Sequence, residues 1–542
     1  MIKTLGVFLT RELAKVTGLA LVAFTLVMTI FAIIEPLRKE GLAAGQLAAL
    51  LAYTVPITLS LTLPVAALFA STIVYGRFSQ DNELTACRAS GLSTVRVLKP
   101  AMALGAVVTL LSLLLSNYIT PKMMQLTELS AKANVLGIVR QRFRTQGYVD
   151  YDRGQQIVHA DSVEQDHETL DLRGVVAVDG RKKDDVRILT ASNAVVQFDQ
   201  NDGRTFVTVS LIRPTVMRTS SRDIIEQASM PLPPRLLSDR VREDASWYEW
   251  DRLLGTLKEP AANSEIASLL TKIQRRLAND ALAREIAAEV NAARAYEGLT
   301  LEGETYAIRA ATAEVTDKET VALRSQARDG QVTRPVELTI KRDGRTRQVI
   351  RAESGSIEVN WALGQDAPTA TVSLKDGVTV SGGAGGGLQR RTDWESPPLA
   401  VPKEVLDRAA GIPLADICLR GNEMTSSAGI RRDINELNLS QIPRLTKRIK
   451  GELHGRIAYG ISCFLMVAMG AALGLMFRGG QIISAFALAA IPAAIVIIMM
   501  LMGKQLVRRI DLPTIYGLSA VWGGIVALLI ADLCVYLHLS RK

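Results

Sequence analysis

The chain is poor in the residues that most often carry chemistry. Its 542 residues include four cysteines, Cys87, Cys418, Cys463 and Cys534, far apart and with no Cys-x-x-Cys pair. That argues against a disulfide framework or a zinc site. Among four histidines there is no His-Glu-x-x-His pair, and His454 stands alone beside an apolar run. No Gly-x-x-x-x-Gly-Lys-Ser/Thr segment exists, so there is no P-loop to cradle nucleotide phosphates. The glycine-rich stretch Gly382 to Gly387 precedes no Lys-Ser/Thr and opens no helix, and it reads as a flexible segment. Work drawn from ATP must therefore come from another protein.

Apolar residues, by contrast, make up 48% of the chain, although charged residues still reach 22% and mean hydropathy is +0.18. The pairing predicts membrane helices in one part and ordinary solvated surface in another. Six stretches are long and apolar enough to cross a bilayer: Val16 to Ile34, Tyr53 to Tyr75, Pro100 to Pro121, Ile457 to Phe477, Gly479 to Gly503 and Leu512 to Ala531. The first is no signal peptide, being long, without a cleavage site and soon followed by a second span. Pro56 and Pro64 predict a kink in the second or an interfacial lead-in from Gly41. The net charge of +9 is read against topology rather than as a sign of nucleic acid, which is not expected as a partner.

Basic residues resist translocation. Lys3, Arg11, Lys15, Arg77, Arg88, Arg96, Lys99, Arg478, Arg541 and Lys542 fall on one side of the six spans. The opposite short loops hold only Arg38, Lys39, Lys504, Arg508 and Arg509. The bias places both termini in the cytoplasm and the segment from Lys122 to Arg456 outside. That segment reads mainly as β, with strands at Val175 to Val178, Ile188 to Phe198 and Phe206 to Val216 broken by Asp179-Gly180 and Asp202-Gly203. Alternation along Ile188 to Phe198 is expected to aim Ile188, Thr190, Ser192, Ala194, Val196 and Phe198 inward. Val336 to Lys341 and Thr346 to Arg351 flank a hairpin turn at Asp343-Gly344. Between the β blocks, Ser264 to Glu297 has helical spacing with Gly298 as its stop, and a shorter helix is expected from Trp247 to Leu257. The domain plan is thus 1–121 (spans one to three), 122–456 (the β domain, with an inserted subdomain at about 240–355) and 457–542 (spans four to six).

The loop between spans two and three, Gly76 to Ser93, has the makings of a self-contained helix at 79–91. Ser79 is expected to cap it, Asp81 and Glu83 to complement its positive end and Arg88 its negative end, and Gly91 to take the left-handed stop. Such a helix, joined to two spans, can carry force from a soluble motor into the bilayer. At the opposite membrane face, Arg38 and Lys39 with Lys504, Arg508 and Arg509 are placed to meet phosphate at headgroup level, a role that competes with ordinary snorkelling anchors. Asp532 reads as an interfacial charge rather than a proton relay.

The chain resembles the LptF/LptG permeases of the lipopolysaccharide-export ABC transporter. Four segments carry the resemblance: Phe8-Leu9-Thr10-Arg11-Glu12-Leu13, the loop Glu83-Leu84-Thr85-Ala86-Cys87-Arg88-Ala89-Ser90-Gly91, Ile188-Leu189-Thr190-Ala191, and Glu452-Leu453-His454-Gly455-Arg456. The resemblance implies a six-helix, three-plus-three membrane domain of the inner membrane with a large periplasmic β-jellyroll-like domain. It further implies a heterodimer with a second such permease, an LptB-type ATPase dimer docked on the loop helix through Ser79, Asp81, Glu83, Leu84, Arg88 and Gly91, and LptC/LptA-type jellyroll proteins as periplasmic partners. Lipopolysaccharide is the implied cargo. No cofactor is expected on this chain, ATP and Mg being used by the ATPase. The family's β domain is usually shorter, which marks 240–355 as the insertion.

Two other classes compete with this reading. Gly460-Ile461-Ser462 and Gly517-Leu518-Ser519 loosely match the Gly-x-Ser of membrane serine proteases. Ser519 and His538 lie 19 residues apart on one helix, about 28 Å at 1.5 Å per residue, and cannot form a dyad; Ser462 with His538 has no supporting motif. A membrane-anchored binding or scaffold protein without transport activity leaves the loop helix unexplained, and a co-purifying cytoplasmic ATPase distinguishes it from a transporter.

Overall fold

A computed structural model describes residues 2–40, 44–132, 143, 147–150, 156–166, 169–179, 187–201, 204–218, 224–226, 229–231, 235–236, 244–316, 319–328, 331–361, 368–382, 388–402, 407, 411–477 and 482–541. Its contacts divide the chain into two units, Met1–Lys258 with Thr446–Lys542, and Glu259–Leu445.

In the first unit the helices are α1 (Ile2–Glu40), α2 (Ala44–Gln80), α3 (Glu83–Ala89), α4 (Thr94–Leu114), α5 (Thr120–Lys132) and α6 (Trp250–Lys258). Among the described residues six helices are long and apolar enough to cross a membrane, three before the β region and three after it. α2 is one continuous helix with both Pro56 and Pro64 inside it, rather than a lead-in followed by a crossing. Pro64 has no N–H to give the carbonyl of Ser60. Tyr459 Oη donates to that carbonyl instead, at 3.0 Å. Hydroxyls complete the fit, since Thr25 bonds Thr62 and Thr29 bonds Thr58, each at 2.8 Å, between α1 and α2. In the run Leu115–Ile119 the ladder widens to a π turn just before Pro121, whose missing N–H leaves the normal register unfilled.

The unit's β-sheet is antiparallel, with Tyr148–Asp150, Gln156–Asp166, Thr169–Asp179, Arg187–Asn201, Arg204–Ile212 and Ser229–Pro231 as successive neighbours. Its core includes Leu170, Leu172, Val175, Ala191, Ala194 and Leu211. The inward set expected along Ile188 to Phe198 is only partly right. Thr190 and Ser192 are exposed, while Leu189 and Ala191 pack inward before Ala194 and Val196 do. Arg187 to Thr190 pair with Thr215–Arg218, and Asn193 onward pairs with Arg204–Ile212, in one continuous register. The register itself does not slip, and the change of face falls at Ser192, opposite Gly174 (φ 62°) and Arg213 (φ 50°), where both neighbouring strands pass through the left-handed region. Gly180, Asp202 and Gly203 of the expected turns lie outside the described residues.

The second unit contains α7 (Ser264–Asn291), α8 (Leu414–Met424) and α9 (Ala428–Glu436). Asn263 caps α7, its Oδ1 accepting from the N–H groups of Glu265 and Ile266 at 3.0 and 3.1 Å. Leu282, Ile286 and Val290 of α7 share a core with Leu299, Ile308, Leu323, Leu338, Ile350 and Val372 of a ten-stranded sheet. The helix ends at Asn291, not at Gly298, which lies in the strand Tyr296–Leu301. Ala293 takes the left-handed conformation (φ 59°), and Arg294 N–H reaches back to Glu289 O at 3.0 Å. The hairpin forms as expected, from Val336–Arg342 and Arg345–Ala352, with Asp343 at φ 52° and Gly344 at φ 75°. The sequence predicts an inserted subdomain at about 240–355; the sheet holding that hairpin continues through Leu399–Ala400, because Thr369–Gly382 pairs with Arg345–Ala352, Ser354–Asn360 and Leu399–Ala400. Arg276 bridges Glu319 and Asp433 at 2.6 Å each. The Glu319 and Asp433 hydrogen bonds outweigh burial and hold its guanidinium above the usual range. Residues 383–387 of the glycine-rich stretch lie outside the described residues.

The remaining helices are α10 (Ile442–Met476), α11 (Ile482–Arg508) and α12 (Thr514–Arg541). Glycines set their spacing. A Cβ at Gly474 would stand 2.7 Å from Thr72 O, and one at Gly503 would stand 2.8 Å from Gly517 O. Side chains at these points would push the helices apart, so backbone meets backbone there, as small residues allow in membrane bundles.

Candidate functional site

Two regions gather the residues singled out from sequence. The first is α3. A helix of seven residues is marginal by itself, so its attachments matter. At the C-terminal end Gly91 has φ +78°. Its N–H bonds Arg88 O at 2.9 Å and Leu92 N–H bonds Cys87 O at 3.0 Å, the paired closure of a Schellman motif. Arg88 Nη2 donates to Thr94 Oγ1 at 3.2 Å, which ties α3 to the first turn of α4. Leu84 is 2% exposed and joins a core with Leu9, Leu13, Phe78, Val97 and Leu98. Burial of a leucine contributes about 1.5–3 kcal/mol, enough to fix the helix against the spans. Burial, with Glu83 nearby, pushes the Cys87 thiol up, so it stays protonated.

Ser79 does not cap α3. It sits in the last turn of α2, buried, and its Oγ donates to Leu475 O of α10 at 3.0 Å. The residue at the N-cap position is Asn82, left-handed at φ 58° and without a side-chain cap bond. Glu83 does occupy the first turn, and Asp81, Glu83, Thr85, Ala86 and Ala89 are all exposed. The result is a clamped helix with one solvent face led by two acids.

The second region lies where α10, α11 and α12 meet the segment before α6. Glu452 is buried, and its two oxygens accept from Lys504 Nζ at 2.9 Å and Arg508 Nη2 at 3.3 Å. Asp244 lies 3.8 Å from Arg508. Burial raises the Asp244 carboxyl, but the Ser246 backbone N–H and the Arg508 charge outweigh it and hold the group below its ordinary range. His454 Nδ1 accepts from Trp522 Nε1 at 3.4 Å, and Arg456 donates to Ser246 O at 2.9 Å. Lys447 Nζ donates to the carbonyls of Arg509, Ile510 and Leu512 at 3.0, 3.1 and 2.7 Å, closing the C-terminal end of α11.

Of the five cations expected at headgroup level, Lys504 and Arg508 are therefore neutralised by Glu452 and Asp244. Arg509 is exposed. Arg38 and Lys39 lie in the last turn of α1, and their side chains are outside the described residues. The sequence reading missed Glu452, Lys447 and Asp244 as partners. A signal for Glu452 was present: a lone acid at the mouth of an apolar helix, matched by Lys504 and Arg508 four residues apart on one face of another.

Among the described residues, six helices long and apolar enough to cross a membrane, a β region between the third and fourth, and a clamped helix with exposed acids between the second and third make the architecture of a multi-pass membrane protein. The family model for the lipopolysaccharide export system permease LptF/LptG matches residues 7–279 and 278–538. The chain belongs to the LptF/LptG family, and with it to the multi-pass proteins of the inner membrane. No curated protein matches it as a relative.

Proposed function

We propose that this permease is one half of an ABC transporter that extracts lipopolysaccharide, or a related glycolipid, from the inner membrane and passes it to a periplasmic bridge toward the outer membrane. A second LptF/LptG-type permease completes the pore, and an LptB-type ATPase dimer supplies the work from ATP and Mg. LptC/LptA-type jellyroll proteins receive the cargo. In this reading both termini are cytoplasmic, residues 122–456 are periplasmic, and α3 is the coupling helix.

The observation that carries the reading is the attachment of α3. Leu84, the Schellman closure and the Arg88–Thr94 bond bind it to the spans, while Asp81 and Glu83 face outward. A stroke delivered to that acidic face is passed to α2 and α4 without first bending the helix. The pairing of Lys504 and Arg508 with Glu452 favours an anchoring role for them and leaves Arg38 and Lys39 as the cations for headgroup phosphate. The test is Glu83→Lys in the assembled transporter. It should abolish ATP-driven glycolipid release while leaving the melting temperature unchanged, because an exposed substitution shifts stability by about 0.5 kcal/mol or less. Normal release together with normal ATPase binding would refute the coupling role.

A further inference from the structure

Asp532 lies on α12, nine residues before its last residue, Arg541. Expected at an interface, it is instead 5% exposed, packed inside the bundle. Both carboxyl oxygens are shielded, and neither meets a hydrogen-bond donor among the described residues. Tyr536, one turn along α12 from Asp532, donates its Oη to Ala468 O at 3.3 Å, and Tyr75, beside Tyr536, donates its Oη to Val97 O at 2.9 Å.

Among the described residues the surroundings offer no counter-charge. Gly517 lies against Gly503 and Val507, and Gly524 against Met499 and Val496, so α11 runs antiparallel to α12. Its stretch level with Asp532, within Ile482 to Ala494, has no ionisable residue. α10 presents Leu465, Met466, Met469 and Leu473 to this core. α2 brings Tyr75, and α1 brings Leu9 and Leu13 against Leu539. Glu12 and Lys15 of α1 pair with each other at 3.6 Å, while Arg11 and, on α12 itself, His538 are exposed. An ionised carboxylate with neither donor nor cation is strongly disfavoured in such a site, whereas the neutral acid is tolerated.

We propose that Asp532 is a proton-binding site of the membrane bundle, occupied while its part of α12 is packed against α2 at Tyr75 and vacated when that packing opens to water. The packing of α12 is thereby tied to proton uptake. Opening the inner part of the bundle releases the proton, and rising pH favours the open form.

The test uses the full chain in lipid nanodiscs. The infrared difference between parent and Asp532→Asn at neutral pH should contain the carbonyl band of a neutral carboxylic acid, and that band should vanish as the pH is raised. Because the unfolded chain carries Asp532 ionised near neutrality, folding takes up a proton. The parent's folding equilibrium should therefore weaken by up to about tenfold per pH unit as pH rises, and that of Asp532→Asn should not. Should the variant fail to fold, carbodiimide modification of the parent, which requires a protonated carboxyl in apolar surroundings, should map to Asp532 and decline with rising pH. Absence of the band at neutral pH would overturn the proposal. So would a band, or an adduct, that persists unchanged until the chain unfolds, since the proton would then never leave.

Discussion

Leu84→Ala separates a lever from a loose connector. Leu84 is the one fully buried side chain of α3, at 2% exposure, and truncating a buried leucine costs about 2–5 kcal/mol. A cost of about 3 kcal/mol, falling mostly on the docking of α3, raises its detached population roughly a hundredfold. The assay is hydrogen exchange of the amides that close the helix, Ala86 N–H on Asn82 O, Ser90 N–H on Ala86 O and Leu92 N–H on Cys87 O. All three should lose protection together, and ATP hydrolysis by the complex should continue with less glycolipid released per ATP. Glu83→Ala, exposed and in the same turn, should leave exchange unchanged. Unaltered protection in Leu84→Ala would show that the helix is held by something other than this contact, and the argument for force transmission through it would fail.

The other expectations are independent of that one. Replacing Arg38 and Lys39 with Ala removes two charges worth about 1 kcal/mol each toward anionic lipid, so lipopolysaccharide affinity should fall roughly thirtyfold, while Arg509→Ala changes it little. A titration by calorimetry or fluorescence checks this, and equal losses would move the headgroup site to α11. Asp244 is held below its ordinary range mainly by the Ser246 N–H and Arg508 against the effect of burial; its contribution is complete above about pH 4 and lost as pH falls through the lowered value. Thermal melts of Asp244→Asn should therefore show less acid sensitivity than the parent below that pH. Gly503→Val places a Cβ 2.7 Å from Val521 Cγ2 and 2.8 Å from Gly517 O, and the overpacking should lower stability by about 1–3 kcal/mol in a detergent melt.

The spans were legible because crossing hydrocarbon needs a run of apolar residues, a requirement local to the sequence. The 336–352 hairpin was legible for a similar reason, since Asp343 and Gly344 meet a local demand for positive φ. What sequence did not disclose depended on distant partners. Pro64 reads as a kink or the mark of a lead-in, and what sequence could not show is that Tyr459, nearly four hundred residues later in the chain, takes up the freed carbonyl of Ser60. Ser79 has the identity of a cap, but α2 runs on to Gln80 and turns that hydroxyl toward α10. The inward face of Arg187–Asn201 shifts midway, at Ser192, where Gly174 and Arg213 on the two neighbouring strands are left-handed. At the second region, Lys504 and Arg508 look like free cations until α10 brings Glu452 between them. In α7 the stop falls on Ala293, a residue without the usual signal, so the nearest glycine misled.

One measurement bears most directly on the coupling claim. In a chain whose cysteines at 87, 418, 463 and 534 are replaced, a single cysteine is introduced as Glu83→Cys and challenged in intact cells and in the purified complex. The account predicts that it resists a membrane-impermeant thiol reagent from outside, reacts once the cytoplasmic face is opened, and cross-links to the ATPase with an efficiency that changes when ATP is added. Labelling from the outside of intact cells, or a complex in which that cysteine never reaches the ATPase, would contradict it.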